Sequence, residues 1–255
     1  MVTGPSIGDW RADKRAAIDD VFSRSLRGDS ERHVSPSGRY ELEVVSWDAP
    51  NGWEYSQGVV RRVRDRREIA DVRRNYGMFP FAWCEDHPSR HDYLIAGEDY
   101  QGQTVLELDT AARVDHLPDT AERGTAFCWA KHYVSPDKTV LVVDGCFWAC
   151  PYELVAFDFT SPLRLPYEKL HRWAGDLRHV DGFDESGTLT WTFDRTVRLS
   201  EGKVADDLTE DEDAALVDAD GRYRPDALGT VTWRARWRLG DPFDATTIEM
   251  VRLPR

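Results

Sequence analysis

The chain has 255 residues, of which 46 are acidic and 33 basic, so that it carries a net charge of -13. This charge repels phosphate backbones and anionic lipid, which disfavours nucleic acid and membranes as partners. An apolar fraction of 41% suffices for a folded core, which excludes disorder of the whole chain. No segment approaches the ~20 apolar residues of a transmembrane helix, and the N-terminus lacks a signal-peptide core. Because the cysteines are few and three lie in strand-like segments, we expect reduced thiols and a cytoplasmic location.

The first predicted element is an N-terminal amphipathic helix. Apolar residues recur at helical spacing within residues 8–27, and Gly28 follows as a stop signal. We therefore predict an N-terminal tail and helix over residues 1–30 and a single β-repeat domain over residues 31–255. A Gly-x-Ser-x-Gly match around Ser6 has no strand before it, so it is interpreted as part of the tail.

After this helix the hydrophobic pattern changes to a period of two residues, which is typical of half-buried strands. Two further helices are predicted, a short one at Pro166–Leu177 and an acidic one at Asp207–Val217. The prediction is therefore a mostly β protein. The strand-like runs are Tyr40–Trp47, Gly58–Val63, Glu68–Val72, Tyr93–Gly97, Thr104–Leu108, Thr139–Asp144, Tyr152–Phe159, Thr188–Phe193, Thr230–Trp237 and Thr246–Leu253.

Turn signals recur along the chain about every 50 residues, a period typical of propeller-type repeats. Two of the repeat units also share a Phe-x-Trp pair before the turn, at residues 81–83 and 127–129. The turn signals are SPSG at 35–38, DHPS at 86–89, SPDK at 135–138 and DESG at 184–187.

Each unit has a strand, an SPDG-like turn, a second strand, a loop, and a third strand that ends in Asp with Thr close behind. This order resembles the blade of WD40-like β-propellers over residues 33–200, although the terminal Trp-Asp and Gly-His pairs of that family are absent. The resemblance implies antiparallel propeller-like units of about 50 residues with loops clustered at two ends. A small or incomplete propeller, closure as a homo-oligomer, and a β-sandwich stay open.

The loops after the second strand of each unit predict the binding site, because equivalent loops of a repeat project from the same end. These loops are residues 47–56, 97–103 and 144–152. Aromatic faces beside carboxylates suit cationic or sugar-like ligands through ring stacking, cation–π attraction and charge-assisted hydrogen bonds. Packing of the aromatics inside the sheets is the alternative. The ligand-binding candidates are Trp47, Trp53, Tyr55, Glu98, Tyr100, Trp148 and Tyr152.

Two functions fit these loops. The first is a binding or protein-interaction module whose partner is a protein or a small molecule. The second is a cofactor-independent hydrolase, isomerase or lyase, with acid and base groups from the same loops. No nucleotide-binding glycine motif, P-loop or zinc-protease motif is present, so no cofactor is predicted. The candidate catalytic carboxylates are Asp48, Glu54, Asp99 and Asp144.

Other motifs are weaker. Cys84, His87 and His91 have a spacing that could supply three zinc ligands. We expect a surface turn instead, because His87 aligns with the turn prolines of the other repeats. Acids interleaved in the arginine-rich segment 61–74 predict cross-strand ion pairs, and the acidic segment 206–220 lacks two of the acids that a calcium loop of EF-hand type needs.

Overall fold

The computed structural model describes residues 7–148, 150–205, 208–218, 222–224, 227–242 and 247–254. Within these ranges the chain forms sixteen strands, two α-helices and one 3-10 helix, and none of its helices is long and apolar enough to cross a membrane. Ser6 of the Gly-x-Ser-x-Gly match lies outside them. The elements are α1 Ile7–Arg24, β1 Leu26–Val34, β2 Tyr40–Asp48, β3 Glu54–Arg62, β4 Glu68–Arg74, β5 Ala82–Cys84, β6 Tyr93–Ala96, β7 Gln103–Glu107, β8 Ala112–His116, the 3-10 helix Asp119–Arg123, β9 Phe127–Val134, β10 Val140–Phe147, β11 Glu153–Asp158, β12 Lys169–Trp173, β13 Asp176–Phe183, β14 Thr188–Arg198, α2 Glu210–Ala214, β15 Leu228–Arg238 and β16 Glu249–Arg252.

The strands form four consecutive sheets of four antiparallel strands each. The strand orders are β1-β2-β3-β4, β5-β6-β7-β8, β9-β10-β11-β12 and β13-β14-β15-β16. Neighbours in a sheet are thus neighbours in the chain, which is the pattern expected from local hairpin pairing. The mostly β prediction, with repeated antiparallel units after an N-terminal helix, is confirmed.

The recurring turn lies between the first and second strand of every sheet and has the same geometry each time. The backbone N–H groups of Gly38, Arg90, Lys138 and Gly187 each donate to the carbonyl three residues earlier, at 2.7 to 3.0 Å. All four residues have a positive φ, between 65° and 81°. A positive φ is readily adopted by glycine and is uncommon for other residues. Its recurrence at all four positions shows that the same turn is repeated in every sheet.

The second of these turns begins one residue later than predicted. Its first hydrogen bond runs from Arg90 N–H to the His87 carbonyl, so Pro88 is the residue equivalent to Pro36 and Pro136. The placement of His87 at the proline position was therefore wrong. Aligning the sequences DHPS and SPSG by their first letters places Asp86 opposite Ser35, whereas the hydrogen bonds show that His87 is equivalent to Ser35.

The alternation of β6 explains how the second sheet packs on both faces. Leu94 and Ala96 belong to a core shared with the first sheet, which contributes Leu42 and other buried side chains. Tyr93 and Ile95 belong to a core shared with the third sheet. Since successive side chains of a strand point to opposite faces, a strand covered on both sides is apolar throughout. Three sheets are therefore stacked face to face.

The chain divides into two compact units, formed by the described residues of 1–150 with 155–170 and of 151–154 with 171–255. In the second unit, the Trp173 ring packs edge-on against Trp191 and Phe193, with ring centres 5.4 and 5.3 Å apart. Trp173 ends β12, so the helix predicted at Pro166–Leu177 was wrong, because tertiary packing overrides a weak local helix propensity.

The N-terminal helix ends at Arg24 rather than near Gly28. Gly28 lies in β1, where an added Cβ would stand 2.5 Å from the Ser46 hydroxyl oxygen of the paired strand β2, so a larger residue there would require the Ser46 side chain to move. The strand was not predicted because nearly all its residues are exposed and show no alternation. The acidic helix is confirmed only over Glu210–Ala214, begun by a capping box at Thr209.

Candidate functional site

The three loops of the predicted site connect the second and third strands of the first three sheets. They follow β2, β6 and β10, and their equivalence is as predicted. Helix α1, which was not part of the predicted site, lies against the first two. It contacts the β2–β3 hairpin through Phe22 and the β6–β7 loop through Lys14 and Arg15.

Two predicted ligand residues pack on the helix. The ring of Phe22 meets Trp47 at 5.6 Å and Tyr55 at 5.7 Å, both edge-on. Phe22 is buried, and edge-on contacts of this kind add to the stability that burial supplies. Trp47 and Tyr55 therefore hold α1 in place. Trp53, at the tip of the same hairpin, is 55% exposed.

Tyr100 and Trp148 are brought together, as the sequence predicted for their loops. Their ring centres are 5.5 Å apart, and Tyr76 lies 6.2 Å from Tyr100 on another side. Burial raises the pKa of Tyr100, whereas Trp148 is 52% exposed. Tyr152 belongs to the second unit and is 40% exposed. Tyr76, Tyr100 and Trp148 form an aromatic surface at the end of the sheets.

Asp99 is a buried carboxylate with a complete set of partners. Its Oδ1 accepts a hydrogen bond from the Gln101 backbone N–H at 2.8 Å, and its Oδ2 accepts one from the Asn75 side-chain amide at 2.6 Å. The Lys14 ammonium lies 2.8 Å from the same Oδ2. A buried carboxylate is tolerated when it is paired and hydrogen-bonded in this way.

Lys14 is the residue that sequence reasoning missed. Its Nζ lies 5.6 Å from the ring centre of Tyr100 and 6.0 Å from that of Trp10, in addition to the Asp99 contact. These distances are within the ~6 Å range of cation–π attraction. A signal was present, because Arg11, Lys14 and Arg15 share one helical face at spacings of three and four residues.

Glu98, next to Asp99 in the β6–β7 loop, also contacts α1. Its Oε2 accepts two hydrogen bonds from the Arg15 guanidinium, at 3.0 and 2.6 Å, and its Oε1 accepts one from Arg113. Arg15 also lies 3.4 Å from Asp115. A predicted ligand residue, Glu98 thus binds the chain's own arginines.

Arg74 holds the backbone of the β6–β7 loop in position. Its guanidinium donates to the carbonyls of Met78, Gly97 and Asp99 at 2.8 to 2.9 Å. Burial lowers the pKa of Arg74 to about 10, which leaves it charged at neutral pH. Arg61, from the same arginine-rich segment, forms the predicted kind of cross-strand pair, 2.8 Å from Glu43.

A cavity of about 420 Å³ lies between α1 and the β6–β7 loop, beside the contacts of Lys14 and Arg15 with that loop. Its wall is charged on both sides, with Lys14 and Arg15 from the helix opposite Glu98 and Asp99, and Ile18 adds an apolar patch. The volume is within the range of small-ligand sites, ~300–1,000 Å³. The contacts between the helix and the loop therefore leave an unfilled cavity of the size of a small-ligand site.

The other candidate carboxylates occupy different settings. Asp48 and Glu54 are exposed and stand directly opposite each other at the mouth of the β2–β3 hairpin. Asp144 is buried in β10 and 7% exposed.

The three metal candidates occupy different settings: Cys84 is buried, and His87 and His91 contact other groups. Cys84 is buried, and desolvation raises the pKa of its thiol to about 12. One ring nitrogen of His87 lies 3.1 Å from the Phe159 carbonyl, and His91 lies 2.5 Å from the Asp109 carboxylate. Among the described residues, no group of three or more His, Cys, Asp or Glu side chains is placed to hold a metal ion.

No protein-family model matches the chain. The chain is similar to "Uncharacterized protein R762" of Acanthamoeba polyphaga mimivirus, with 31% identity over 143 residues. The matched part covers 54% of this chain and 55% of the viral protein, so the chain spans about half the length of that relative.

Weak structural similarity extends to large β-rich proteins. A Mycobacterium tuberculosis puromycin-hydrolyzing peptidase has 14% identity and a TM-score of 0.48, over 92% of this chain and 33% of that one. Hydrazine synthase of Kuenenia stuttgartiensis has 13% identity and a TM-score of 0.41, over 88% and 65%. Both TM-scores are below 0.5.

Proposed function

We propose that the protein is an interaction module of β-propeller type, small or incomplete, whose β6–β7 loop binds a basic, lysine-bearing segment. The propeller part is supported by four successive four-stranded sheets, each with the same turn between its first two strands. It is also supported by the shared cores that join the second sheet to the first and third. Small antiparallel sheets repeated in this manner are typical of propellers.

The environment of Lys14 is the observation that carries the binding part. One ammonium group meets a buried carboxylate at 2.8 Å and an aromatic ring at 5.6 Å. A carboxylate attracts any cation, whereas the ring face adds attraction for one that is partly desolvated. Asp99 and Tyr100 are adjacent on one loop that Arg74 holds in shape. The loop is thus preorganised for a lysine side chain.

We infer that α1, whose Lys14 contacts Asp99, acts as an intramolecular ligand of this site. A segment tethered to its own site acts at an effective concentration in the millimolar range. A partner must therefore compete with the helix, and segments that supply more contacts than Lys14 and Arg15 are favoured. We infer that the natural partner is a basic peptide or protein surface.

The test uses a fluorescent peptide with the sequence of residues 7–24 and the full chain in two forms. The first is the unchanged chain. The second carries Lys14→Ala and Phe22→Ala, which remove one anchor of α1 at each loop. We expect anisotropy titrations to show at least tenfold tighter peptide binding to the second form, because its own helix competes less.

Two controls make the result specific. A peptide with methionine in place of the lysine should lose most of this affinity, because it keeps the apolar stem without the charge. Adding Asp99→Asn to the second form should have a similar effect. Equal binding by the lysine and methionine peptides, or by both forms of the chain, would rule out recognition of a lysine at this loop.

A further inference from the structure

Two cysteines lie directly opposite each other on neighbouring strands of the third sheet. Cys128 of β9 and Cys146 of β10 are directly opposite partners in the antiparallel pairing, and both are half-buried cysteines in the reduced form. The next opposite pair, Phe127 and Phe147, has ring centres 5.3 Å apart, so facing side chains in this register do meet.

This placement satisfies the geometric requirement of a disulfide. Opposite residues of antiparallel strands have Cα atoms about 4.5 or 5.5 Å apart, and their side chains leave the sheet on the same face. Disulfides span Cα separations of about 4.4–6.8 Å. A bond between Cys128 and Cys146 therefore needs no change of strand register.

The other two cysteines differ. Cys84 is 1% exposed and lies in β5 of the second sheet. Cys150 is exposed in the loop after β10, where its backbone N–H donates to the Phe147 carbonyl at 2.8 Å. Neither is placed opposite another cysteine in the described pairings.

We propose that Cys128 and Cys146 form a reversible cross-strand disulfide by exchange with a small-molecule disulfide of the glutathione type. The Cys146 thiolate attacks one sulfur of that disulfide, so that a mixed disulfide forms and one thiolate leaves. Cys128 then loses its proton and attacks the Cys146 sulfur, which closes the protein disulfide and releases the second thiolate. The two protons from the protein thiols end on the two released thiols, so the protein loses two electrons and the reagent gains them.

The order of attack follows from the setting of Cys128. Burial and the neighbouring Cys146 raise the pKa of the Cys128 thiol to about 11, so it is a poor first nucleophile at neutral pH. The closing step should accelerate as the pH rises from ~7 to ~9, because the thiolate fraction of Cys128 increases. The bond would also stiffen the strand that leads directly to Trp148.

The test incubates the full chain with mixtures of reduced and oxidised glutathione, blocks free thiols with iodoacetamide and maps tryptic peptides by mass spectrometry. Cleavage after Arg123 and Lys131 isolates Cys128, whereas Cys146 and Cys150 remain together in the peptide that begins at Thr139. The Cys150→Ser variant therefore assigns the linkage. We expect a cross-linked peptide that is lighter by two hydrogen atoms, forms in this variant as in the natural chain, and disappears with dithiothreitol.

Further variants keep the result interpretable. Cys146→Ser should abolish the cross-link and leave Cys128 open to alkylation, while Cys84 stays reduced in every sample. If Cys128 and Cys146 are both fully alkylated at the most oxidising mixture, or if the cross-link requires Cys150, the proposal is wrong. None of these measurements depends on ligand binding at the Lys14 site.

Discussion

The contact between Lys14 and Asp99 can be measured separately from the rest of α1 docking. Unit charges 2.8 Å apart attract with about 6 kcal/mol at an effective dielectric constant of ~20. The side chain of Asp99 is 5% exposed and that of Lys14 is 27% exposed, so desolvation offsets much of this attraction. We expect a net coupling of about 1–3 kcal/mol.

A double-mutant cycle isolates this coupling. The variants are Lys14→Met, which keeps the apolar stem, Asp99→Asn, and the two together. Hydrogen exchange of the α1 backbone amides, followed by mass spectrometry, reports the free energy of helix opening in each form, because a docked helix exchanges only when it opens. Asp48→Asn, on the exposed β2–β3 hairpin, is the matched control and should change the opening free energy by less than ~0.5 kcal/mol.

The expected signature is non-additivity. Each single change should favour opening, and the double change should cost less than the sum of the two by the coupling energy. A coupling below ~0.5 kcal/mol would mean that Lys14 and Asp99 are neighbours without a mutual interaction. The proposed lysine site would then lose its main support.

Three more predictions test the surroundings of the site. Both ring nitrogens of His132 are inaccessible to water and have no hydrogen-bond partner among the described residues, and desolvation lowers its pKa to about 3. Unfolding releases this histidine to its ordinary pKa, so the contribution of His132 to the free energy of unfolding should be constant well above about pH 6.5 and fall by about 2 kcal/mol by pH 5. Urea unfolding at both pH values should show this loss, and His132→Phe should remove it. Arg74→Met leaves three loop carbonyls without their donor, and we expect a loss of about 3–5 kcal/mol in the same assay; a loss under ~1 kcal/mol would show that the loop does not depend on the guanidinium. Phe22→Ala should cost about 3 kcal/mol, because a buried ring between Trp47 and Tyr55 is lost, and thermal unfolding should show a lower midpoint, whereas an unchanged midpoint would mean that α1 adds nothing to the stability of the first unit.

The β-rich class, the repeated unit and the equivalence of the three loops could be predicted from the amino-acid sequence alone. These features are local, because a period of two residues follows from strand geometry and a turn residue follows from its φ. The same reasoning predicted that the loops carrying Tyr100 and Trp148 project from the same end, and their ring centres are 5.5 Å apart. It failed where exposure removed the alternation, as in β1, and where packing of Trp173 outweighed helix propensity in β12.

The contacts that α1 makes at the predicted site depend on the folded chain and could not be predicted from the sequence. Lys14 and Asp99 are 85 residues apart in the chain, and no period or spacing links a helix to a loop at that separation. Arg74 is one of seven arginines between residues 61 and 74, and in the sequence it is indistinguishable from its neighbours. Its guanidinium can be buried because three carbonyls converge on it, and this convergence is a property of the folded chain alone.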